Sequence, residues 1–149
     1  MGDPTKLVLI GNPGFGFEEI KKAIAESSAK QDIIQLGYVP EADLPALLNS
    51  ADALIHPSWY EGFGIPPVQA MACGTPVLSA DTASLPVIIG KDAAIYYEPN
   101  ELESMARAMA RIQEEDGLAQ KLRLAGISRA TKYTWKRTAE LTLPVLTEW

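Results

Sequence analysis

Residues 51–80, ADALIHPSWYEGFGIPPVQAMACGTPVLSA, contain the pattern that decides the fold. The apolar run at 52–56 predicts one strand, and the run at 75–79 predicts the next. Between them, two glycines separated by one residue precede a segment with helical spacing that begins near Ile65. Strand, glycine loop, helix and strand in this order are typical of a parallel sheet covered by helices.

The same alternation extends in both directions along the chain. After Pro99 the pattern becomes helical only, as in a helical C-terminal tail that Gly117 and Gly126 punctuate and in which Thr134 can cap the final helix. We therefore predict an α/β fold, a doubly wound parallel sheet of five strands buried on both faces, in one domain over residues 1–149. The other strands are predicted near residues 6–10, 32–37 and 93–97, and the helices between strands near 17–30, 41–51 and 65–74.

Composition excludes several classes of partner. The 149 residues are 47% hydrophobic and carry a formal net charge of -6, whereas binding to a nucleic acid backbone needs a clustered basic face. No apolar run approaches the roughly 20 residues of a membrane span, and no secretion signal is recognisable at the N-terminus, so we expect a cytoplasmic protein. The single cysteine, Cys73, is expected to be a buried structural thiol.

The glycine loop has a chemical use as well as a structural one. Glycines before a helix allow backbone N–H groups to approach an anion, and the helix dipole adds partial positive charge there. Pro66 and Pro67 suit the first helical turn, where an N–H group has no partner in the helix. A tight turn without a ligand has the same glycine pattern, so both interpretations stay open on the loop alone.

The whole string closely resembles the donor-site signature of the family 4 (group 1) retaining glycosyltransferases, which have the GT-B fold. Residues 61–66, EGFGIP, and residues 70–77, AMACGTPV, stand in the places of that signature. The resemblance implies a Rossmann-like nucleotide-sugar-binding domain, with a nucleoside diphosphate sugar as substrate and neither cofactor nor metal. It also implies the roles of individual residues: Glu61 as the catalytic residue at the sugar hydroxyls, Gly62, Phe63, Gly64 and Ile65 around the diphosphate, Gln69 at the ribose, Tyr38 and Val39 near the base, and Gly11 in the cleft wall.

Three departures from the family pattern bear on function. Gln69 replaces the second acid of the signature, and Val87 replaces a common Glu, which suggests a packing role for that side chain. The chain begins at what would be the second strand of the donor domain, without an acceptor domain. We therefore expect no sugar transfer by this chain alone, and a partner chain with an acceptor domain, or a homodimer. The alternative is a non-catalytic or engineered scaffold of this fold that has lost its ligand site.

Further expectations concern sheet order and the remaining side chains. If the neighbours of the missing strand close up, the five strands run in the flavodoxin-like order 2-1-3-4-5. A flavodoxin-like response protein itself is disfavoured, because no pair of aspartates follows the first strand. His56 is interpreted as a satisfied core residue, and Trp59 and Tyr60 as packing residues.

Overall fold

The computed structural model describes residues 5–147, which form two compact units that divide between Leu44 and Pro45. The expectation of a single domain over the whole chain stays a prediction. The first unit contains β1 (Leu7–Ile10), α1 (Phe17–Glu26), a 3-10 turn (Lys30–Asp32) and β2 (Ile33–Gly37), and α2 (Leu44–Ser50) begins at the division. The second unit continues with β3 (Leu54–His56), α3 (Ile65–Ala72), β4 (Val77–Ala80), α4 (Leu85–Ile89), β5 (Ala94–Tyr97), α5 (Leu102–Glu114), α6 (Leu118–Ala130) and α7 (Trp135–Thr147).

The five predicted strands form, and every pair is parallel, but the closed order 2-1-3-4-5 is wrong. β1 pairs with β2, while β3, β4 and β5 form a separate sheet in the order β3-β4-β5. The pairs that form join strands consecutive in the chain, which a helical crossover brings side by side. The pair required by the closed order, β1 with β3, has no such direct connection, and the described residues do not form it.

The prediction that all strands are buried on both faces is wrong for the first unit. None of its described side chains is buried, and apolar residues of both strands, such as Val8 and Ile34, are about two-fifths exposed at 42% and 41%. Two strands and one helix of 10 residues enclose too little volume to bury these side chains. β1 and β3 each keep one edge without a paired strand, and dimerisation through such an edge stays a prediction.

The second unit has its core on both faces of β4, as predicted. All four residues of β4 are buried, and alternate side chains point to opposite faces of the sheet. Val77 packs with Met71 of α3 on one face, while Leu78 packs with Leu122 of α6 on the other. This core fixes the carboxyl ends of the strands, where open α/β sheets bind their ligands.

The helices follow the predicted segments with two corrections. Gly126, which the sequence pattern suggested as a break, lies within α6 against Met71. The short helix α4 was not predicted, because LPVII has the length and composition of a strand. Thr134 caps α7 as expected, since its hydroxyl accepts a hydrogen bond from the Arg137 N–H at 3.1 Å. None of the helices formed by residues 5–147 combines the length and apolar character that a membrane crossing requires.

Tyr97 of β5 carries a hydroxyl group that its burial leaves without a partner in the described structure. The residue is 2% exposed, and burial raises its pKa to about 12, so the hydroxyl stays protonated at neutral pH. Because an unsatisfied buried polar group costs about 1–3 kcal/mol, Tyr97→Phe is expected to raise the free energy of unfolding by about 1 kcal/mol in urea titrations. The neighbouring Tyr96 is the control, since its hydroxyl donates to the Gly90 carbonyl at 2.9 Å and Tyr96→Phe should instead destabilise. Equal effects of the two substitutions would contradict this account.

Candidate functional site

The glycine loop between β3 and α3 adopts a conformation that requires glycine at one position. Gly64, the N-cap of α3, is buried and left-handed, with φ of 84°. A Cβ atom there would lie 2.7 Å from Cδ2 of the fully buried Leu85. The loop can therefore pack closely against Leu85 at the start of α4 because Gly64 has no side chain.

This conformation leaves a group of backbone donors without acceptors. Within the described residues, no hydrogen bond uses the N–H groups of Phe63, Gly64 or Ile65, whereas the Val68 N–H donates to the Gly64 carbonyl at 3.5 Å. Pro66 and Pro67, which lie between Ile65 and Val68, have no N–H group. Free N–H groups and the positive end of the α3 dipole coincide here, which is an arrangement chemically suited to an anion.

Glu61 lies in the same loop, and contacts from two directions hold it. Its carbonyl accepts a hydrogen bond from the Ser84 hydroxyl at 2.8 Å, and its Oε1 lies 3.2 Å from Nε2 of His56. The Glu61 side chain is 31% exposed, so it is only partly enclosed by the protein. The interpretation of His56 as a satisfied core residue is wrong, because its Nε2 is buried without a well-aligned hydrogen bond.

The segment between β4 and α4, which sequence reasoning did not include in the site, supports the glycine loop. The Thr82 hydroxyl donates to the Ser58 carbonyl at 2.9 Å, in parallel with the bond from Ser84 to Glu61. The position of this segment could have indicated its role, because the segment follows the carboxyl end of β4, the strand that pairs with β3. Two hydroxyl groups thus fix the backbone that carries the candidate catalytic carboxylate.

Ala83, between these two hydroxyl residues, is the only described non-glycine residue with positive φ, at 47°. The left-handed conformation costs such a residue roughly 1–2 kcal/mol, while glycine adds about 0.4–1 kcal/mol of unfolded-state entropy. Ala83→Gly is therefore expected to stabilise the chain by about 0.5–1 kcal/mol in urea unfolding. Ala106→Gly makes the same change in the exposed interior of α5 and should destabilise by about 1 kcal/mol. A loss of stability in Ala83→Gly would show that the strain is absent.

The far side of the loop contacts the region that joins α6 to α7. The Phe63 ring packs edge to face on Tyr133, with centroids 5.3 Å apart. The Tyr133 hydroxyl and Nε of Arg129 both donate to the Ile88 carbonyl, at 2.9 and 2.8 Å. Val87 is 70% exposed and contributes its carbonyl to Arg129, so the suggested packing role of its side chain is wrong.

Other candidate residues are placed as follows. Trp59 and Tyr60 are 68% and 81% exposed, which contradicts their interpretation as packing residues. Cys73 is half-buried at the C-terminal end of α3, rather than buried as expected. Gln69 is half-buried, one helical turn after Ile65 on α3.

The remaining three predicted residues belong to the first unit, at the carboxyl ends of its strands. The Gly11 N–H donates to the Gly37 carbonyl at 2.8 Å, which brings the end of β1 to the end of β2. Tyr38, directly after β2, is 69% exposed, and Val39 is half-buried. Their assignment to the base and the cleft wall stays a prediction.

Comparison with known proteins bears on this arrangement. Residues 1–129 match the family model described as glycosyl transferases group 1. The chain belongs to the group 1 glycosyltransferases. Within this family it is 31% identical over 137 residues to O-antigen chain mannosyltransferase B of Escherichia coli, an alignment that covers 92% of this chain and 36% of the relative. It is also 30% identical over 128 residues to MMP alpha-(1->4)-mannosyltransferase of Mycolicibacterium hassiacum, with 84% and 31% covered.

Solved structures agree on the GT-B fold of this group 1 chain. Anabaena HepE in complex with UDP and glucose superposes with a TM-score of 0.88 at 21% identity, covering 97% of this chain and 40% of that one. Sucrose-phosphate synthase from Thermosynechococcus elongatus gives a TM-score of 0.87 at 23% identity, covering 95% and 37%. The chain thus spans well under half the length of these relatives.

Within residues 5–147, no three His, Cys, Asp or Glu side chains come together as metal ligands would. The expectation that neither metal nor cofactor takes part stays a prediction.

Proposed function

We propose that this chain is the donor-binding part of a retaining glycosyltransferase and binds a nucleoside diphosphate sugar at the loop between β3 and α3. The observation that carries the proposal is the set of free N–H groups of Phe63, Gly64 and Ile65 beside the Glu61 carboxylate. The N–H groups suit the diphosphate, and the carboxylate suits the hydroxyl groups of the sugar.

Related proteins support a sugar donor. The presence of UDP and glucose in the HepE structure and the mannosyltransferase names of the sequence relatives favour a hexose linked to a nucleoside diphosphate. Sugar transfer is proposed to need an acceptor held by sequence outside the matched 36% of the O-antigen enzyme. Most of the catalytic advantage then comes from orienting the acceptor against the bound donor and stabilising the leaving diphosphate.

Calorimetric titration with UDP-glucose, GDP-mannose and ADP-glucose, and with UDP and GDP, tests the proposal. At least one nucleotide sugar should bind more tightly than its parent diphosphate, and Glu61→Ala should remove that difference without affecting the diphosphate. Absence of binding by every ligand at millimolar concentration would overturn the proposal in favour of the scaffold alternative, which the comparisons do not support.

Gln69 provides a second, opposite test, since it is expected to be the weakest contact of the nucleotide site. A carboxylate at this position would accept hydrogen bonds from both ribose hydroxyl groups, whereas the Gln side chain offers one neutral carbonyl. Charge-assisted bonds add roughly 1 kcal/mol, so Gln69→Glu should tighten nucleotide binding about five- to tenfold at fixed salt. Gln120→Glu on the exposed surface of α6 is the matched control for the added charge and should have no effect. Equal changes in both variants would show that residue 69 does not face the ribose.

A further inference from the structure

His56 occupies the last position of β3, directly before the loop that carries Glu61. Its register partner on β4 is Ser79, a fully buried residue, so the backbone of His56 is fixed by the sheet. Five residues later the loop returns Glu61 to the imidazole, with Oε1 3.2 Å from Nε2. The His56 side chain is 13% exposed and that of Glu61 is 31% exposed, so the pair lies at the border between core and solvent.

The main chain and the side chain of Glu61 are held by different groups. The Ser84 hydroxyl fixes the Glu61 carbonyl, and the Thr82 hydroxyl fixes the loop at the Ser58 carbonyl. For the carboxylate, residues 5–147 provide a single close polar neighbour, which is Nε2 of His56. The direction of the carboxylate therefore depends on His56.

The geometry of the contact between His56 and Glu61 is that of an incomplete hydrogen bond. Nε2 is buried and lies within hydrogen-bond distance of Oε1, yet the two groups are too poorly aligned to form a hydrogen bond. Buried polar groups that lack a hydrogen bond are rare in native proteins, and each calls for an explanation such as a functional role or an additional partner. Catalytic hydrogen bonds are often misaligned without substrate and tighten in the substrate complex.

We propose that His56 is a positioning residue for Glu61. When the donor binds, the imidazole donates its Nε2–H to one carboxylate oxygen, and the other oxygen accepts a hydrogen bond from a hydroxyl group of the donor sugar. Alignment of the pair is completed when the sugar binds, because the sugar hydroxyl draws the carboxylate into one orientation. This inference rests on the proposed donor site and extends it to a residue that does not itself contact the ligand.

The test uses variants of the full chain and calorimetric titration. The ligands are the nucleotide sugar that the unaltered chain binds most tightly, among UDP-glucose, GDP-mannose and ADP-glucose, and the parent diphosphate. His56→Phe keeps an aromatic ring but removes the donor, and should weaken binding of the nucleotide sugar about five- to tenfold while leaving the diphosphate unchanged. His56→Gln restores an N–H donor at similar reach and should recover most of the affinity. In the Glu61→Ala background, His56→Phe should have no further effect.

Controls separate positioning from a structural role. Ile55→Val, at the adjacent position of β3, should leave both affinities unchanged, since Ile55 packs on the opposite side against the cluster around Leu78. Equal loss of sugar and diphosphate binding in His56→Phe, or the same loss in the Glu61→Ala background, would overturn the inference but not the donor site. Failure of the unaltered chain to bind any of the ligands would overturn both.

A measurement without ligand keeps the inference falsifiable if His56→Phe does not fold. His56 is the only histidine of the chain, so its imidazole nitrogen signals in NMR spectra are assigned without ambiguity. At one fixed pH, Glu61→Gln should shift the Nε2 signal, whereas Glu98→Gln, on the exposed segment after β5, should not. An Nε2 signal that is identical in the unaltered chain and in Glu61→Gln would contradict the contact.

Discussion

Gly64→Ala is expected to lower the free energy of unfolding by about 2–4 kcal/mol and to abolish donor binding at the glycine loop. The left-handed φ of 84° costs an alanine roughly 1–2 kcal/mol. The added Cβ would lie 2.7 Å from Cδ2 of Leu85, and overpacking of a buried site adds about 1–3 kcal/mol. Relief of this contact requires the loop or α4 to move, which displaces the free N–H groups of the proposed diphosphate site.

Gly62→Ala is the matched control, two residues earlier in the same loop. Gly62 has no positive φ, and a Cβ there would meet no atom within 4 Å. Its stability should change by less than about 0.5 kcal/mol, as for other exposed substitutions. A second control is the Leu85→Ala background, in which Gly64→Ala should cost only its backbone contribution. Equal destabilisation by the two glycine variants in urea titrations would show that the contact with Leu85 is not decisive.

Local sequence patterns predicted the elements of the fold, because each depends on neighbouring residues. The Gly-x-Gly spacing before two prolines predicted the start of α3, and Thr134 predicted the cap of α7. The run at 75–79 predicted the central buried strand β4. These signals need only the preferences of backbone and side chain over a few residues.

Sheet order and burial in the first unit could not be predicted in this way. Pairing of β1 with β3 depends on a contact between strands that no single crossover joins, and hydrophobic periodicity carries no information about it. The apolar composition of β1 likewise predicted burial, although its Val8 remains 42% exposed. Composition indicates which side chains favour burial, not whether enough chain surrounds them.

The candidate site was predicted in part. The family resemblance selected Glu61 and the loop up to Ile65, and the free N–H groups there fit that selection. The contacts of Ser84 and His56 with Glu61 were missed, because they depend on tertiary placement over 23 and 5 residues. Their shared signal is location at or just after the carboxyl ends of adjacent parallel strands, which is a better guide than residue type alone.

Gly126→Leu is expected to lower the free energy of unfolding by about 3 kcal/mol, because α6 packs directly against Met71 of α3 at this glycine. An added Cβ would lie 3.1 Å from Cγ of Met71 and 3.6 Å from its Cα, so the backbone of α3 limits any adjustment. Met71 is fully buried, so the surrounding core restricts the movement of its side chain to small adjustments. Leucine stabilises a helix relative to glycine by about 1 kcal/mol. The expected loss of about 3 kcal/mol is therefore the steric cost minus this gain in helix propensity.

Two variants separate the steric cost from helix propensity, measured by urea and thermal unfolding. Ser128→Leu adds the same side chain at an exposed position of α6 and should be close to neutral or stabilising. Gly126→Ala brings only the Cβ into contact with Met71. Whether this variant is stabilised or destabilised depends on whether the flexible Met71 side chain can move by a few tenths of an ångström. A loss of 3 kcal/mol corresponds to a decrease in Tm of roughly 6–12 °C for a chain of this size. Gly126→Leu and Ser128→Leu could instead unfold at the same temperature. In that case, the close packing of α6 on α3 does not stabilise α3, the helix that follows the glycine loop.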